Sequence, residues 1–350
     1  MEASAETRDY GIIPQNYLSV RKKSDEASFM SRVAVVGVVG RTNAGKSTLV
    51  NALVGEKVSI VSPVEQTTRN TVRGIVADAR GQLVLLDTPG LHKAVGQLGR
   101  LLNRMARRSA AGTDITCVVF DAAEEPQLED VGWMQRIAKE RPEKVVFVLN
   151  KADRKPFYES MYRDAWKECV ESLTGGNGDA CGDSTADPEP MPSPVWVKAI
   201  ASTPGGAKAV GDALFDLAEE GEKLFDDDIV TDYPRKLTIA DSIREKYLAK
   251  LHQELPHELG VVVKKVVEAT EKGAPVWEVD AEVLVNRASQ KPIVIGKGAA
   301  TIKYVRKCSE RELSDLFGVK VRLELWVRVE PNWMKNERLL AEMGYLGELV

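Results

Sequence analysis

Gly40, Arg41, Thr42, Asn43, Ala44, Gly45, Lys46, Ser47 and Thr48 follow directly on an apolar run and fit the G-x-x-x-x-G-K-[ST] pattern that cradles phosphates. The glycines let the backbone curl so that successive N–H groups point at phosphate oxygens, and the helix that follows adds its positive N-terminal end. Lys46 then reaches the β and γ phosphates, and Ser47 offers its hydroxyl to Mg²⁺. This loop alone does not choose between ATP and GTP. Asp87, Thr88, Pro89 and Gly90 end a second apolar run, where the carboxylate can hold a magnesium-bound water and the Gly90 N–H can meet the γ phosphate. Asn150, Lys151, Ala152 and Asp153 end a third run. There the Asp153 carboxylate can accept from guanine N1–H and N2–H₂ together, donors that adenine lacks. Either tetrapeptide alone reads as a solvated turn; the three elements in this order select a guanine nucleotide. Gln66, Thr67, Thr68 and Arg69 lie between the first two elements, and Thr68 is favoured over Thr67 as the hydroxyl that completes the magnesium shell when GTP is bound. Leu91, after Gly90, cannot orient an attacking water, so intrinsic turnover is expected to be slow, with Lys46, Thr68 and Gly90 as the catalytic set and no general base assigned.

These residues need strands to hold them. Val33 to Val39 is almost wholly apolar, as a strand buried on both faces of a parallel sheet must be, and Leu83 to Leu86, Cys117 to Phe120 and Val145 to Leu149 repeat the pattern. Helical segments at Leu98 to Ser109 and Val131 to Lys139 alternate with them, which is an α/β arrangement. Thr174 to Pro194 is rich in Gly, Pro, Asp and Ser and reads as a solvated loop inserted in this domain. A further strand is expected at Val195 to Ile200 and a helix at Gly211 to Glu220. The organisation read from the sequence is an extension over 1–30, a nucleotide-binding domain over 31–222 with an insertion at 174–194, a linker over 223–240, and a second domain with a tail over 241–350. Met30, just ahead of the first strand, is a candidate start.

Composition sets the bounds. The chain has 350 residues, with 43% hydrophobic and 29% charged, and 48 basic against 52 acidic residues leave a net charge of -4. That is the composition of a folded soluble protein of about two domains, with no global signature of polyanion binding. Cys117, Cys169, Cys181 and Cys308 form no C-x-x-C pair, and His92, His252 and His257 are well separated, so a zinc site, a disulfide framework and a histidine triad are not expected. No run approaches the length of a spanning helix and no leader pattern is present, which points to an intracellular protein. No amphipathic basic helix is expected, so membrane contact would be peripheral at most.

In the second half a helix at Asp241 to His252, extended runs at Val261 to Val267 and Trp277 to Val285, two helices and a final strand are expected. In that last strand Val321, Leu323, Leu325, Val327 and Val329 share one face, and Arg322, Glu324, Trp326 and Arg328 the other. Asn286 to Arg328 carries ten basic residues against Glu310, Glu312, Asp315 and Glu324, about +6, a local patch suited to a phosphate backbone.

Taken as a set, GRTNAGKST, VSPVEQTTR, LLDTPG, NKAD, QKPIVIGKGA and VRLELWVRVEPNW resemble the Era family of bacterial and organellar GTPases over Arg32 to Leu349. The resemblance implies a P-loop G domain with a mostly parallel sheet, followed by an α+β type II KH domain. It implies GTP and GDP as ligands, bound by Gly40, Asn43, Ala44, Gly45, Lys46, Ser47, Thr48, Asp87, Asn150, Lys151, Asp153 and Ser202. Mg²⁺ would sit on Ser47, Thr68 and Asp87, and an activating potassium ion on Asn43. Ile295, Gly296, Lys297, Gly298, Ala299 resemble the KH loop that clamps single-stranded RNA, with Lys303 and Arg306 beside it and Ile293, Ile295, Ile302 and Val305 lining the groove. The implied partner is the 3′ end of small-subunit rRNA in an assembling 30S-type subunit, bound by a monomer with no role for DNA. The implied compartment is a bacterial-type cytoplasm, with peripheral contact at the inner membrane, or alternatively an organelle matrix. Two departures stand out: Ile200, Ala201, Ser202 and Thr203 replace the family's Ser-Ala guanine loop, and Ala299 replaces the final glycine of the KH loop. Trp333, with Asn332 and Lys335, can be a stacking platform or a buried anchor. The competing reading is a constitutive RNA-binding assembly protein with a structural, slowly hydrolysing G domain. A tRNA-modifying relative is disfavoured, since no cysteine follows Cys308.

Overall fold

The run Val33 to Val39 is buried at every position, and its alternate residues serve two different cores. Ala34, Val36 and Val38 face one cluster with Leu49, Val50, Val210 and Leu214, while Val39 joins Val118, Phe120, Trp133, Phe147 and Tyr162 on the opposite side. A strand covered on both faces needs no polar alternation, which is why the apolar runs read correctly as parallel strands. The computed structural model describes residues 31–62, 68–90, 96–110, 112–174, 191–251 and 255–345. The expectations for the 1–30 extension, Gln66, Thr67, Leu91, nearly all of the 174–194 loop and the last residues of the tail lie outside them.

The first domain runs β1 (Ser31–Val39), α1 (Lys46–Val54), β2 (Val72–Asp78), β3 (Gly81–Asp87), α2 (Gly96–Ala110), β4 (Ile115–Asp121), α3 (Leu128–Glu140), β5 (Val145–Asn150), α4 (Glu159–Thr174), β6 (Val195–Lys198), α5 (Pro204–Leu217) and β7 (Glu219–Gly221). Its sheet has the order β2-β3-β1-β4-β5-β6, parallel except for β2, and β7 pairs antiparallel with the first residues of β1. The P-loop, Asp87 and Asn150 all leave carboxyl ends of parallel strands, on one edge of the sheet.

The second domain runs α6 (Arg235–Leu248), α7 (Leu255–Glu258), β8 (Gly260–Glu271), β9 (Ala274–Val285), α8 (Lys291–Ile295), α9 (Ala300–Phe317), β10 (Lys320–Val329) and α10 (Glu337–Glu342). The sheet order is β10-β9-β8, with β8 and β9 antiparallel and β10 parallel to β9. Val321, Leu323 and Val327 are buried and Arg322, Glu324 and Trp326 exposed, as the alternation in β10 predicts.

Several elements differ from expectation. β2 was not anticipated because an edge strand covered on one side, interrupted by Gly74, lacks the continuous apolar run of its neighbours. α5 starts at Pro204, capped by the Thr203 hydroxyl, and ends at Leu217, so that Glu219 and Glu220 belong to β7. α6 begins at Arg235, inside the expected 223–240 linker, because its first turn is polar and solvent-facing and carries no periodic signal. The shortened linker lies along the first domain: Gln82 exchanges hydrogen bonds with Leu224 and Phe225, Ile75 N–H donates to Val230 O, and Arg73 pairs with Asp232.

Candidate nucleotide and nucleic-acid sites

The phosphate loop is shaped by close approach. Gly40 adopts φ 144° with Val119 O where a Cβ would lie, at 2.3 Å, and Gly45 adopts φ 103° with Asn150 Nδ2 only 2.2 Å from its missing Cβ. Lys46, 6% exposed, donates to Arg41 O at 2.8 Å, and burial lowers its pKa to about 8 against the pull of Asp87 and Asp130. The hydroxyls of Ser47 and Thr68 hydrogen-bond at 2.9 Å. Asp87 is fully buried and neither carboxylate oxygen has a hydrogen-bond partner of ordinary geometry; burial pushes its carboxyl up, against the nearby Ser47 hydroxyl and Lys46. A buried orphan carboxylate beside the Ser47 hydroxyl, which is itself bonded to the Thr68 hydroxyl, is a hard-oxygen donor set, so these residues fit Mg²⁺. Thr88 donates to Val38 O at 2.9 Å, and Gly90 packs so tightly on the loop that a Cβ there would lie 2.8 Å from Thr42 N and 2.9 Å from Lys46 Nζ.

At the guanine end, Asn150 does more than its motif suggests. Its Nδ2 donates to Ala44 O at 2.8 Å and its Oδ1 accepts from Ala201 N–H at 2.9 Å, joining the phosphate loop to the loop after β6. Lys151, at φ 60°, pairs with Asp121, while Asp153 and Ser202 are exposed at the same edge. Sequence reasoning missed the ion network behind them. Arg41 Nη2 lies 2.8 Å from Glu124, and Arg41 Nε lies 3.4 Å from Asp130, whose carboxyl is pushed up by burial. Arg41 occupies a variable position of the loop pattern, so nothing marked it.

In the second domain, α8 ends at Gly296 (φ 78°, ψ 161°), Lys297 and Gly298 are exposed, and Ala299 sits at φ 60° as the residue that opens α9. Lys303 and Arg306 are exposed on the following helix. Of the four expected groove residues, Ile295 and Ile302 are half-buried and Ile293 is 57% exposed, but Val305 is fully buried and belongs to the core. Trp333 is also fully buried and donates from Nε1 to Glu258 O at 2.8 Å, which decides for the anchor and against stacking.

A family model described as "50S ribosome-binding GTPase" matches residues 35–151, and a KH domain model matches 254–334. The GTPase Era of Geobacter sp. (strain M21) is 36% identical over 314 residues, 90% of this chain and 98% of the relative. The GTPase Era of Rippkaea orientalis is 34% identical over 310 residues, 89% and 91% of the two lengths. The chain belongs to the Era family of GTPases. Two solved Era structures superpose with TM-scores of 0.74 at 29% identity, each covering 90% of this chain and 99% of the other. One is an Aquifex aeolicus Era variant bound to GDP·AlF₄⁻; the other is Era in complex with MgGDPNP and nucleotides 1506–1542 of 16S ribosomal RNA.

In this Era-family chain the GTPase and KH domains meet through polar contacts, buried at Arg69 and Asn70 and half-buried around Lys57. Arg69 donates to Leu259 O and His257 O, each at 2.9 Å, and Asn70 Nδ2 donates to Met343 O at 3.0 Å. Lys57 pairs with Glu245 at 2.6 Å and with Glu312 at 2.8 Å, and Lys246 joins the same two carboxylates. Burial pushes the Glu312 carboxyl up, but the two lysines more than offset it and hold it below the ordinary range.

Proposed function

We propose that this chain is a GTP-hydrolysing switch that binds the 3′ end of small-subunit rRNA through its KH domain and assists assembly of the small ribosomal subunit. The observation that carries this reading is the pairing, in one chain, of a guanine-nucleotide pocket with an exposed Lys297–Gly298 loop between two helices. The Era complex with MgGDPNP and 16S rRNA nucleotides supports it. When bound, Mg²⁺ supplies charge neutralisation to the β and γ phosphates. Ser47, Thr68 and Asp87 orient that charge, the loop amides and Lys46 hold the γ-phosphoryl oxygens, and Gly90 brings its strand end against the loop. Asn43, at φ 60° in the loop, is the proposed potassium ligand. The proposed working form is a monomer in a bacterial-type cytoplasm.

The test is the affinity of short single-stranded RNAs, the rRNA 3′ tail among them, with the protein in GTP-analogue, GDP and empty forms. Tight, salt-dependent binding in the GTP-analogue form supports the switch. Binding indifferent to nucleotide favours the constitutive RNA-binding reading, and no binding overturns both.

A further inference from the structure

Between Asp87 and Asp114 the sequence carries Lys93, Arg100, Arg104, Arg107 and Arg108 and no carboxylate, within a chain of net charge -4. Most of this segment is α2, so the expectation that the chain lacks an amphipathic basic helix does not hold. Leu102 is fully buried against Val262, Leu284 and Trp333 of the KH domain, with Leu101 and Met105 half-buried beside it. Arg100, Arg104 and Arg107 are exposed. Their spacing of four and then three residues puts them on one face over about 10 Å of helix axis, a line of charge rather than a point.

Several exposed cations on other helices of this protein are paired along the helix: Arg163 with Glu159, Lys208 with Asp212 and Arg338 with Glu342. Among the described residues none of the three α2 arginines has a carboxylate partner. Three like charges at neighbouring positions repel one another, and no ion pair among the described residues offsets that repulsion. A basic amphipathic helix suits a membrane surface only if its apolar side is free to insert, and here that side is already covered by the KH domain. What remains is charge without apolar surface. The complementary partner is a phosphate backbone, whose oxygens match the guanidinium fork.

We propose that the Arg100, Arg104 and Arg107 face of α2 is a second RNA contact, on the GTPase domain, that holds backbone phosphates of the segment adjoining the strand in the KH groove. This rests on the RNA-binding reading above and extends the footprint from one domain to both. The KH loop takes the single strand, and the arginine face takes neighbouring structured RNA through its phosphates alone, independent of sequence.

The experiment compares wild type, a triple Arg→Gln variant at 100, 104 and 107, and Lys297→Ala. Two RNAs are used, a single strand of about ten nucleotides and a longer rRNA 3′ fragment that extends beyond it, each titrated over a series of KCl concentrations. Each phosphate contact contributes about 0.7–0.9 to the slope of log K against log salt. The triple variant is therefore expected to keep the short-strand affinity within about twofold, to bind the long fragment about tenfold or more weakly at low salt, and to show a salt slope smaller by about 2–3. Lys297→Ala is expected to weaken both RNAs. Should the triple variant lower the Tm, Arg104→Gln alone is expected to remove about a third of the slope change. Wild-type affinity and slope on the long fragment in these variants would overturn the second contact while leaving the KH reading intact. Arginine-dependent binding to anionic-lipid vesicles without any change in RNA affinity would overturn it in favour of a membrane. Failure of the wild type to bind either RNA would overturn both readings together.

Discussion

The Arg69 guanidinium donates to the carbonyl oxygen of Leu259 at 2.9 Å, which fastens the residue after Thr68 to the KH domain. Arg69 is 1% exposed, and burial pulls its pKa down against the nearby Tyr345 hydroxyl. Movement of Thr68 relative to bound nucleotide therefore acts, one residue later, on a side chain that anchors the start of β8. Arg69→Ala leaves the carbonyls of Leu259 and His257 without their donor inside the interface. We expect a loss of about 2–4 kcal/mol in chemical denaturation and a smaller difference in RNA affinity between GTP-analogue and GDP forms. An unchanged nucleotide dependence would show that the link is purely structural.

Lys46 carries a pH signature. With its folded pKa lowered to about 8, the nucleotide-free native state holds fewer protons than the unfolded chain up to the ordinary lysine value of 10.5. The unfolding free energy therefore rises with pH across that window, by about 3 kcal/mol in total, and Lys46→Met is expected to flatten the rise while reducing GTP hydrolysis to background. Parallel pH profiles for the two proteins would contradict the buried charge.

Asp87 works in the opposite sense. Burial raises its carboxyl pKa, so the nucleotide-free protein loses stability as pH rises from the ordinary carboxylate range through that raised value. Asp87→Asn removes this loss, and at neutral pH the variant should melt no lower than wild type. It should lack the magnesium-dependent stabilisation that a GTP analogue confers, about 2.7 kcal/mol at a hundredfold excess over Kd. A variant still stabilised by the analogue with Mg²⁺ would take Asp87 out of the metal site.

The KH loop makes two opposite predictions. Ala299 at φ 60° is a left-handed alanine, so Ala299→Gly should stabilise the protein by about 1 kcal/mol and preserve or tighten short-RNA binding. Gly296 also has positive φ, but a Cβ there would lie 2.3 Å from Thr301 Oγ1 and 2.8 Å from Thr301 N. Gly296→Ala should cost about 2–3 kcal/mol and abolish RNA binding, readable in one melting series and one titration.

Potassium provides a test at Asn43. GTP hydrolysis is expected to run faster in KCl than in NaCl at equal ionic strength, and Asn43→Ala should remove the difference. Equal rates in the wild type would exclude the potassium site.

The nucleotide motifs were legible because each needs residue types at fixed short spacing, and the apolar runs before Gly40, Asp87 and Asn150 placed them at strand ends without any coordinates. Charge and loop chemistry marked Gly296 to Ala299 in the same way. What the sequence by itself determined was local: which turns could meet phosphate, which base could be selected, and which strands were buried on both faces. The tertiary structure alone decided that Asn150 ties Ala44 to Ala201, that Arg41 anchors on Glu124 beyond β4 and on Asp130 of α3, that Trp333 is an anchor, and that Arg69 reaches the KH domain. Each of these joins residues far apart in the chain, and no spacing rule encodes such a contact. Burial is likewise a property of the assembled cores: Val305 and Ile293 are both branched aliphatics near one loop, yet packing against α6 and the sheet hides the first and leaves the second in solvent.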